Sequence, residues 1–159
     1  MKDYFDLGDY SRKVSENKSS QTWFDRGMVW LFAYNHEEAI ACFEKAIEAD
    51  QKCAFAYWGI AYAVGPNYNN HWEVFTPNEK GPVLEKAHKF IENGLALPDL
   101  PVLEKKLLEA LRQRYPENHT VEDFQPYSDA FASAMRPVYQ ESNIAPAIPT
   151  IADPKINIS

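Results

Sequence analysis

The sequence predicts an all-α fold built from short antiparallel helical pairs. Apolar residues recur at helical spacing from Trp23 onward. A pattern of small and aromatic residues then returns in the same phase, so that Trp23 aligns with Tyr57 and Gly27 aligns with Ala61. Clusters of Gly, Pro and Asn separate the apolar stretches, as expected of turns between helices. About three such pairs are predicted, with a loop inserted in the second.

The first pair is predicted at residues 21–50, with a turn at Tyr34-Asn35-His36. The small Gly27 allows a neighbouring helix to approach closely. Asn35 followed three residues later by Glu38 predicts a capping box, in which the Asn side chain accepts a backbone N–H and the Glu side chain reaches back. The apolar face of the helix that follows is Ala39, Ile40, Phe43, Ala46 and Ile47.

The second pair is predicted to contain an insertion. Its first helix, at residues 53–64, ends at Gly65-Pro66-Asn67, because Gly favours a left-handed conformation and Pro cannot continue the helix. Its second helix is expected to begin only near Val83, after an inserted segment at residues 65–82. Insertions of this kind lie on a loop face, and loop faces often carry function.

The third pair is predicted from a helix at residues 102–115 and a helix at residues 126–139. The first of these has a clear apolar side, whereas the second matches the pattern weakly. Pro137 is expected to lie in the final turn of the last helix or to bend it.

The helical domain is therefore assigned to residues 21–141. Residues 142–159 are predicted to form a disordered, proline-containing tail. Residues 1–20 form an N-terminal segment that is too apolar to be a free tail, and it is expected to pack on the helices through Tyr4, Phe5 and Tyr10.

These residues resemble the signature of the tetratricopeptide repeat (TPR) family, whose period is about 34 residues. The matching positions are Trp23, Gly27, Trp30, Ala39, Phe43 and Ala46, whereas Arg26 replaces the usual Leu and Gln51 the usual closing Pro. Residues 4–139 are also similar to the N-terminal part of longer microbial TPR proteins, in which more helical pairs follow. The resemblance implies a right-handed superhelix and a protein-interaction scaffold. A generic helical hairpin is the alternative.

Composition restricts the possible functions. The chain has 159 residues and a net charge of -7, without a basic stripe, which disfavours nucleic acid and anionic membranes as partners. No apolar run is long enough to span a bilayer, and residues 1–10 do not have the pattern of a signal peptide. A cytoplasmic location is expected, with the nucleus as the other option. Cys42 and Cys53 are expected to be core residues or free thiols.

The resemblance places an uncharged aromatic set on the concave side of the stack. One interpretation is a groove for an apolar peptide or helix. The other is that the N-terminal segment or the inserted loop fills this groove, since a large exposed apolar patch is a liability in a soluble protein. The predicted groove residues are Phe24, Met28, Leu31, Phe32, Phe55, Trp58 and Tyr62.

The inserted loop supplies the second set of candidate residues. They could contact a small molecule, or they could simply form turns, as Asn clusters commonly do. A metal site is disfavoured, because one His and one Glu do not make a transition-metal site. The candidate loop contacts are Asn67, Tyr68, Asn70, His71 and Trp72.

The expected function is a non-enzymatic scaffold or adaptor that binds a protein or peptide and needs no cofactor. No catalytic triad spacing, phosphate-binding glycine loop or CxxC motif is present. The alternative is an enzyme or a small-molecule-binding accessory protein with a pocket under residues 65–82. Self-association is a further expectation, because three pairs leave a terminal helix without a neighbour.

Overall fold

The computed structural model describes residues 7–142, and the predicted all-α class is confirmed for them. The expectations for Tyr4, Phe5 and the tail beyond residue 142 lie outside the described residues. Within residues 7–142 the chain forms six helices, which are α1 (Lys18–Phe32), α2 (His36–Ala49), α3 (Ala54–Ala63), α4 (Pro77–Leu95), α5 (Val102–Arg112) and α6 (Gln125–Ser142).

Consecutive helices pack as neighbours along the whole described chain. Helix α3 contacts α1, α2, α4 and α5, so it is the centre of the packing, and all its residues except Tyr62 are buried. Helix α5 contacts α3 and α4 in the same way that α3 contacts α1 and α2. Each odd-numbered helix after the first therefore packs against the pair that precedes it.

The Phe43 ring marks the closest approach between helices. The ring is fully buried, and it lies between Gly27 of α1 and Gly59 of α3. A Cβ atom added at Gly27 would be 2.5 Å from the ring, and one added at Gly59 would be 2.7 Å from its other edge. Because both residues are glycines, the backbones of α1 and α3 leave a space that the Phe43 ring of α2 fills.

The start of α4 differs from the prediction. The helix begins at Pro77 rather than near Val83. Thr76 and Glu79 form a capping box, and Pro77 occupies the first helical position, where its missing N–H costs nothing. The inserted segment therefore becomes helical before the predicted boundary at residue 82.

The cap of α2 is only half of the predicted capping box. The Asn35 side chain accepts a hydrogen bond from the Glu38 backbone N–H at 3.3 Å, as expected. The backbone N–H of Asn35, however, donates to the Trp30 carbonyl at 2.9 Å. That bond closes the end of α1, so this N–H does not need the Glu38 carboxylate.

The last pair differs from the prediction at its boundaries. Helix α5 ends at Arg112 because the next three residues form tighter i to i+3 bonds before Pro116. Helix α6 contains Pro137 and continues to Ser142, beyond the predicted end at residue 139.

The described part of the N-terminal segment, residues 7–17, runs across α1 and α3. The Asp25 carboxylate accepts hydrogen bonds from the Ser11 hydroxyl at 2.7 Å and from the Arg12 backbone N–H at 3.1 Å. The Gln21 amide donates to the Arg12 carbonyl at 2.6 Å. The segment ends at Asn17, whose side chain caps α1 through the backbone N–H groups of its first turn.

Candidate functional site

The predicted aromatic groove is largely interior. Five of its seven residues, namely Phe24, Met28, Leu31, Phe55 and Trp58, are at most 5% exposed. The other two, Phe32 and Tyr62, are half-buried. Tyr10 packs edge-on against Phe32 with ring centroids 5.6 Å apart, and the Arg12 guanidinium lies 5.0 Å from the Phe55 ring centroid. These contacts agree with the second interpretation, in which the N-terminal segment fills the groove.

The five candidate loop residues divide into three groups. Trp72 is buried and stacks on Phe124 with ring centroids 4.2 Å apart, so it belongs to the core. Tyr68 is 74% exposed and His71 is also exposed, and their rings are in edge contact. Asn67 and Asn70 are half-buried and line a pocket.

We call this cavity the loop pocket. Its volume is about 680 Å³, which is within the range of small-molecule sites in proteins. It lies at one edge of the helical stack, where the α1–α2 turn, the end of α3, the inserted segment and the first half of α4 meet. Its lining residues are Ala33, Tyr34, Asn35, His36, Glu37, Ile40, Ala63, Val64, Gly65, Asn67, Asn70, Phe75, Pro82, Val83 and Lys86.

His36 connects two walls of the loop pocket, the start of α2 and the end of α3. Its Nδ1 atom lies 2.9 Å from the Ala63 carbonyl oxygen, which can only accept a hydrogen bond, so Nδ1 carries the proton. In the neutral ring Nε2 is then an acceptor, and none of the described residues bonds to it. Burial lowers the pKa of His36, the bond to Ala63 opposes this shift, and the charge of Arg114 adds to it.

The Asn67–Asn70 turn forms the part of the loop pocket wall beside His36. The two residues exchange backbone hydrogen bonds of 3.0 and 3.1 Å. The Asn67 side-chain oxygen accepts from the Asn69 backbone N–H at 2.8 Å, and its amide nitrogen lies 3.5 Å from the Nδ1 atom of His36. Because Nδ1 carries the proton that it donates to Ala63, this second approach is a contact and not a hydrogen bond. The turn therefore holds one carboxamide in a fixed orientation beside the histidine.

The remaining walls combine an apolar surface with one ion pair at the edge. Ile40, Val64, Phe75 and Val83 are half-buried and provide the apolar part. Lys86 forms an ion pair with Glu44 at 3.1 Å, and both side chains are about two-fifths exposed. An exposed pair of this kind contributes little stability and is easily rearranged. Such a pocket suits a molecule with an apolar body and a few polar groups.

Two residues beyond the end of α5 hold the pocket wall in place. The Tyr115 hydroxyl donates to the Ala61 carbonyl at 2.6 Å, and burial raises the pKa of Tyr115 to about 12. Arg114 donates to the Pro66 carbonyl at 2.6 Å. Gly65 packs so closely against the Tyr115 hydroxyl that a Cβ atom would not fit there. The end of α3 is thus fixed from behind the loop pocket.

The sequence predicts Asn67 and Asn70 as loop contacts, but Tyr34 and His36 are not among the predicted site residues. A signal was present in the sequence. The turn after α1 and the turn after α3 occupy the same place in successive helical pairs, and turns of successive pairs lie at one edge of a stack. Aligning the two turns would have placed His36 beside Asn67.

The described residues contain no cluster of three or more His, Cys, Asp and Glu side chains arranged for a metal ion. None of the helices within residues 7–142 has the length and apolar character required to cross a bilayer. Comparisons of the chain with models of known families, with curated proteins and with solved structures give no match.

Proposed function

We propose that this chain is a TPR-like, non-enzymatic binding module that holds a small molecule in the loop pocket. The observation that carries the proposal is the pocket itself, a cavity of about 680 Å³ to which four separate chain segments contribute. The TPR part of the proposal rests on the signature residues and on the way Phe43 packs between glycines of two successive pairs.

The polar groups of the loop pocket favour binding over catalysis. His36 uses Nδ1 to hold the Ala63 carbonyl, and the lowering of its pKa by burial favours the neutral ring at pH 7. The Asn67 carboxamide is fixed by its own turn. Fixed neutral donors and acceptors beside an apolar wall give orientation and specificity to a bound molecule, at a low cost in conformational entropy.

Thermal-shift screening of a small-molecule library, followed by calorimetry on the hits, tests the proposal. The informative variant is Val83→Trp, which fills the loop pocket from its α4 wall. The matched control is Val102→Trp, the same substitution at a residue of α5 that is 70% exposed and outside the pocket. The expected result is that hits bind the wild type and Val102→Trp, but not Val83→Trp. Hits that bind all three proteins equally would refute the proposal.

A second candidate function is a protein-interaction scaffold, and a different observation favours it. Among the described helices α6 packs against α5 alone, and a groove of about 480 Å³ runs between them. Its floor contains Ala110, Ala130 and Ala134, small residues that let another helix approach closely, and Lys106, Glu109 and Glu141 also line it. In this proposal the partner, or a second copy of the chain, uses this groove rather than the aromatic one.

The scaffold is tested with Ala134→Arg, which places a long charged side chain in the α5–α6 groove. Ser133→Arg is the control, since Ser133 is exposed on the same helix and does not line the groove. Light scattering and affinity capture from the cell of origin are compared for both variants. The scaffold predicts self-association or a captured protein that Ala134→Arg abolishes and Ser133→Arg retains. Equal behaviour of the two variants would contradict it.

A further inference from the structure

The backbone at Tyr34, in the wall of the loop pocket, has an unusual conformation. Its φ angle is +60°, in the left-handed region that a bulky side chain rarely adopts. Tyr34 follows the last residues of α1, where its N–H donates to the Leu31 carbonyl at 3.1 Å and the next N–H donates to the Trp30 carbonyl at 2.9 Å. These two bonds are the Schellman closure of a helix end, and its left-handed position is usually occupied by glycine.

An aromatic residue at this position destabilises the fold relative to glycine. The presence of a tyrosine here therefore needs a reason other than backbone stability. Packing does not supply one, because Tyr34 is 46% exposed. Its ring instead lies nearly parallel to the His36 ring, with an angle of 7° between the planes and 6.5 Å between the centroids. Local strain that is retained without a packing benefit is concentrated at functional positions.

We propose that the Tyr34 and His36 rings form an aromatic ledge that selects ligands with a planar ring carrying an amide or a ring N–H group. This inference rests on the proposed function, because the ledge is part of the wall of the loop pocket. A planar ring stacks on the exposed Tyr34 face, and its N–H donates to the Nε2 atom of His36. Asn67, whose amide nitrogen lies 3.5 Å from the His36 ring, and Asn70 line the same cavity.

The chemistry of His36 determines which polar group the ligand presents. Since the Ala63 carbonyl fixes the proton on Nδ1, Nε2 of the neutral ring accepts and does not donate. A ligand that offers only acceptors at this point would leave Nε2 unpaired, which disfavours carboxylates and phosphates. The preferred ligand is therefore a neutral aromatic amide or nitrogen heterocycle.

The probes are nicotinamide, which has a planar ring and a carboxamide, and cyclohexanecarboxamide, which has the same polar group on a saturated ring. Their dissociation constants are measured by ligand-observed NMR. The expected result is tighter binding of nicotinamide by about three- to tenfold, the range that an aromatic stack contributes. Equal affinities would overturn the inference about the ledge.

Tyr34→Gly separates recognition from folding, because it changes the two in opposite directions. The glycine relieves the left-handed strain, so the midpoint of urea unfolding should rise, while the stacking surface is lost and nicotinamide binding weakens to the level of the saturated probe. Tyr34→Phe keeps the ring and should bind like the wild type. If Tyr34→Gly binds nicotinamide as well as the wild type does, the ledge plays no part in recognition and the inference is wrong.

Asp99→Gly is the matched control. Asp99 has a φ angle of +55° and lies outside the loop pocket, so this variant should gain stability without any change in binding. Val83→Trp distinguishes the two proposals. If Val83→Trp abolishes the binding of both probes and the wild type shows no preference for the planar ring, the ledge is refuted and the loop pocket remains a binding site. If Val83→Trp does not affect binding, both proposals are refuted.

Discussion

The substitution Gly27→Ala tests whether the packing of Phe43 between two glycines holds the first two helical pairs together. A single methyl group added at Gly27 would lie 2.5 Å from the Phe43 ring, about 1 Å closer than an ordinary carbon–carbon contact. The ring cannot move away by that distance. Its opposite edge already faces Gly59, where an added Cβ atom would be 2.7 Å away.

Two effects of opposite sign determine how much Gly27→Ala changes the free energy of unfolding. Replacing Gly by Ala inside a helix stabilises it by about 1 kcal/mol. Overpacking a rigid core costs about 1–3 kcal/mol, and a ring that is confined on both sides should be near the upper end of that range. The steric term wins, so Gly27→Ala should lower the free energy of unfolding by about 2 kcal/mol, as measured by urea denaturation followed through tryptophan fluorescence.

The control is Gly81→Ala in α4, where an added Cβ atom meets nothing within 4 Å. This variant should be stabilised by up to about 1 kcal/mol, with some of the gain lost because Pro82 restricts the residue before it. Phe43→Leu makes room for the methyl group at Gly27, so the double variant should be more stable than the sum of the single effects by about 1 kcal/mol or more. A Gly27→Ala protein as stable as the wild type, or strictly additive effects in this cycle, would refute the reasoning.

Three further predictions concern the residues that support the loop pocket. Tyr115→Phe should lower the free energy of unfolding by about 1–3 kcal/mol, as measured by urea denaturation, because it leaves the buried Ala61 carbonyl without its 2.6 Å donor. A smaller decrease would mean that another donor replaces the hydroxyl. Arg114→Met should cost about 1.5–3 kcal/mol, since Arg114 donates to the Pro66 carbonyl, whereas Arg112→Met breaks only an exposed pair with Glu92 and should cost less than about 1 kcal/mol. His36 has a pKa below its ordinary value of 6.5 in the folded chain, so the unfolded chain binds the proton first as the pH falls. Its contribution to stability is complete above pH 6.5 and is lost below it, and the unfolding midpoint of His36→Gln should therefore depend less on pH in this range.

Five of the six described helices agree closely with the boundaries predicted from the sequence. Helices α1, α2, α3, α5 and α6 begin and end within three residues of the predicted positions, because apolar spacing and a cap or a turn signal mark their ends. The start of α4 was missed for a physical reason. Its first residues, Pro77, Asn78 and Glu79, are exposed, so they carry no apolar period, and the only signal is the Thr76 capping box.

The burial of the predicted groove depends on contacts that periodicity does not specify. Spacing alone places Phe32 and Phe55 on one side of the stack, but it does not say whether solvent or another segment covers them. Tyr10 and Arg12 cover them here, and Asp25 and Gln21 fix that segment through hydrogen bonds to its backbone and side chains. Such polar contacts have no sequence period, so the sequence is compatible with both an open and a filled groove.

The loop pocket was only partly predictable, yet one local feature indicates where to search. A helix that ends in a Schellman closure is expected to have glycine at the left-handed position, and this chain has Tyr34 there. Where the neighbouring residues all favour the local structure and one residue does not, function is the usual reason for the conflict. Tyr34 is the residue in conflict, and its exposed ring lies beside His36 in the wall of the loop pocket. Measuring whether glycine at residue 34 raises stability while it weakens binding therefore tests the local strain and the proposed ligand site in one experiment.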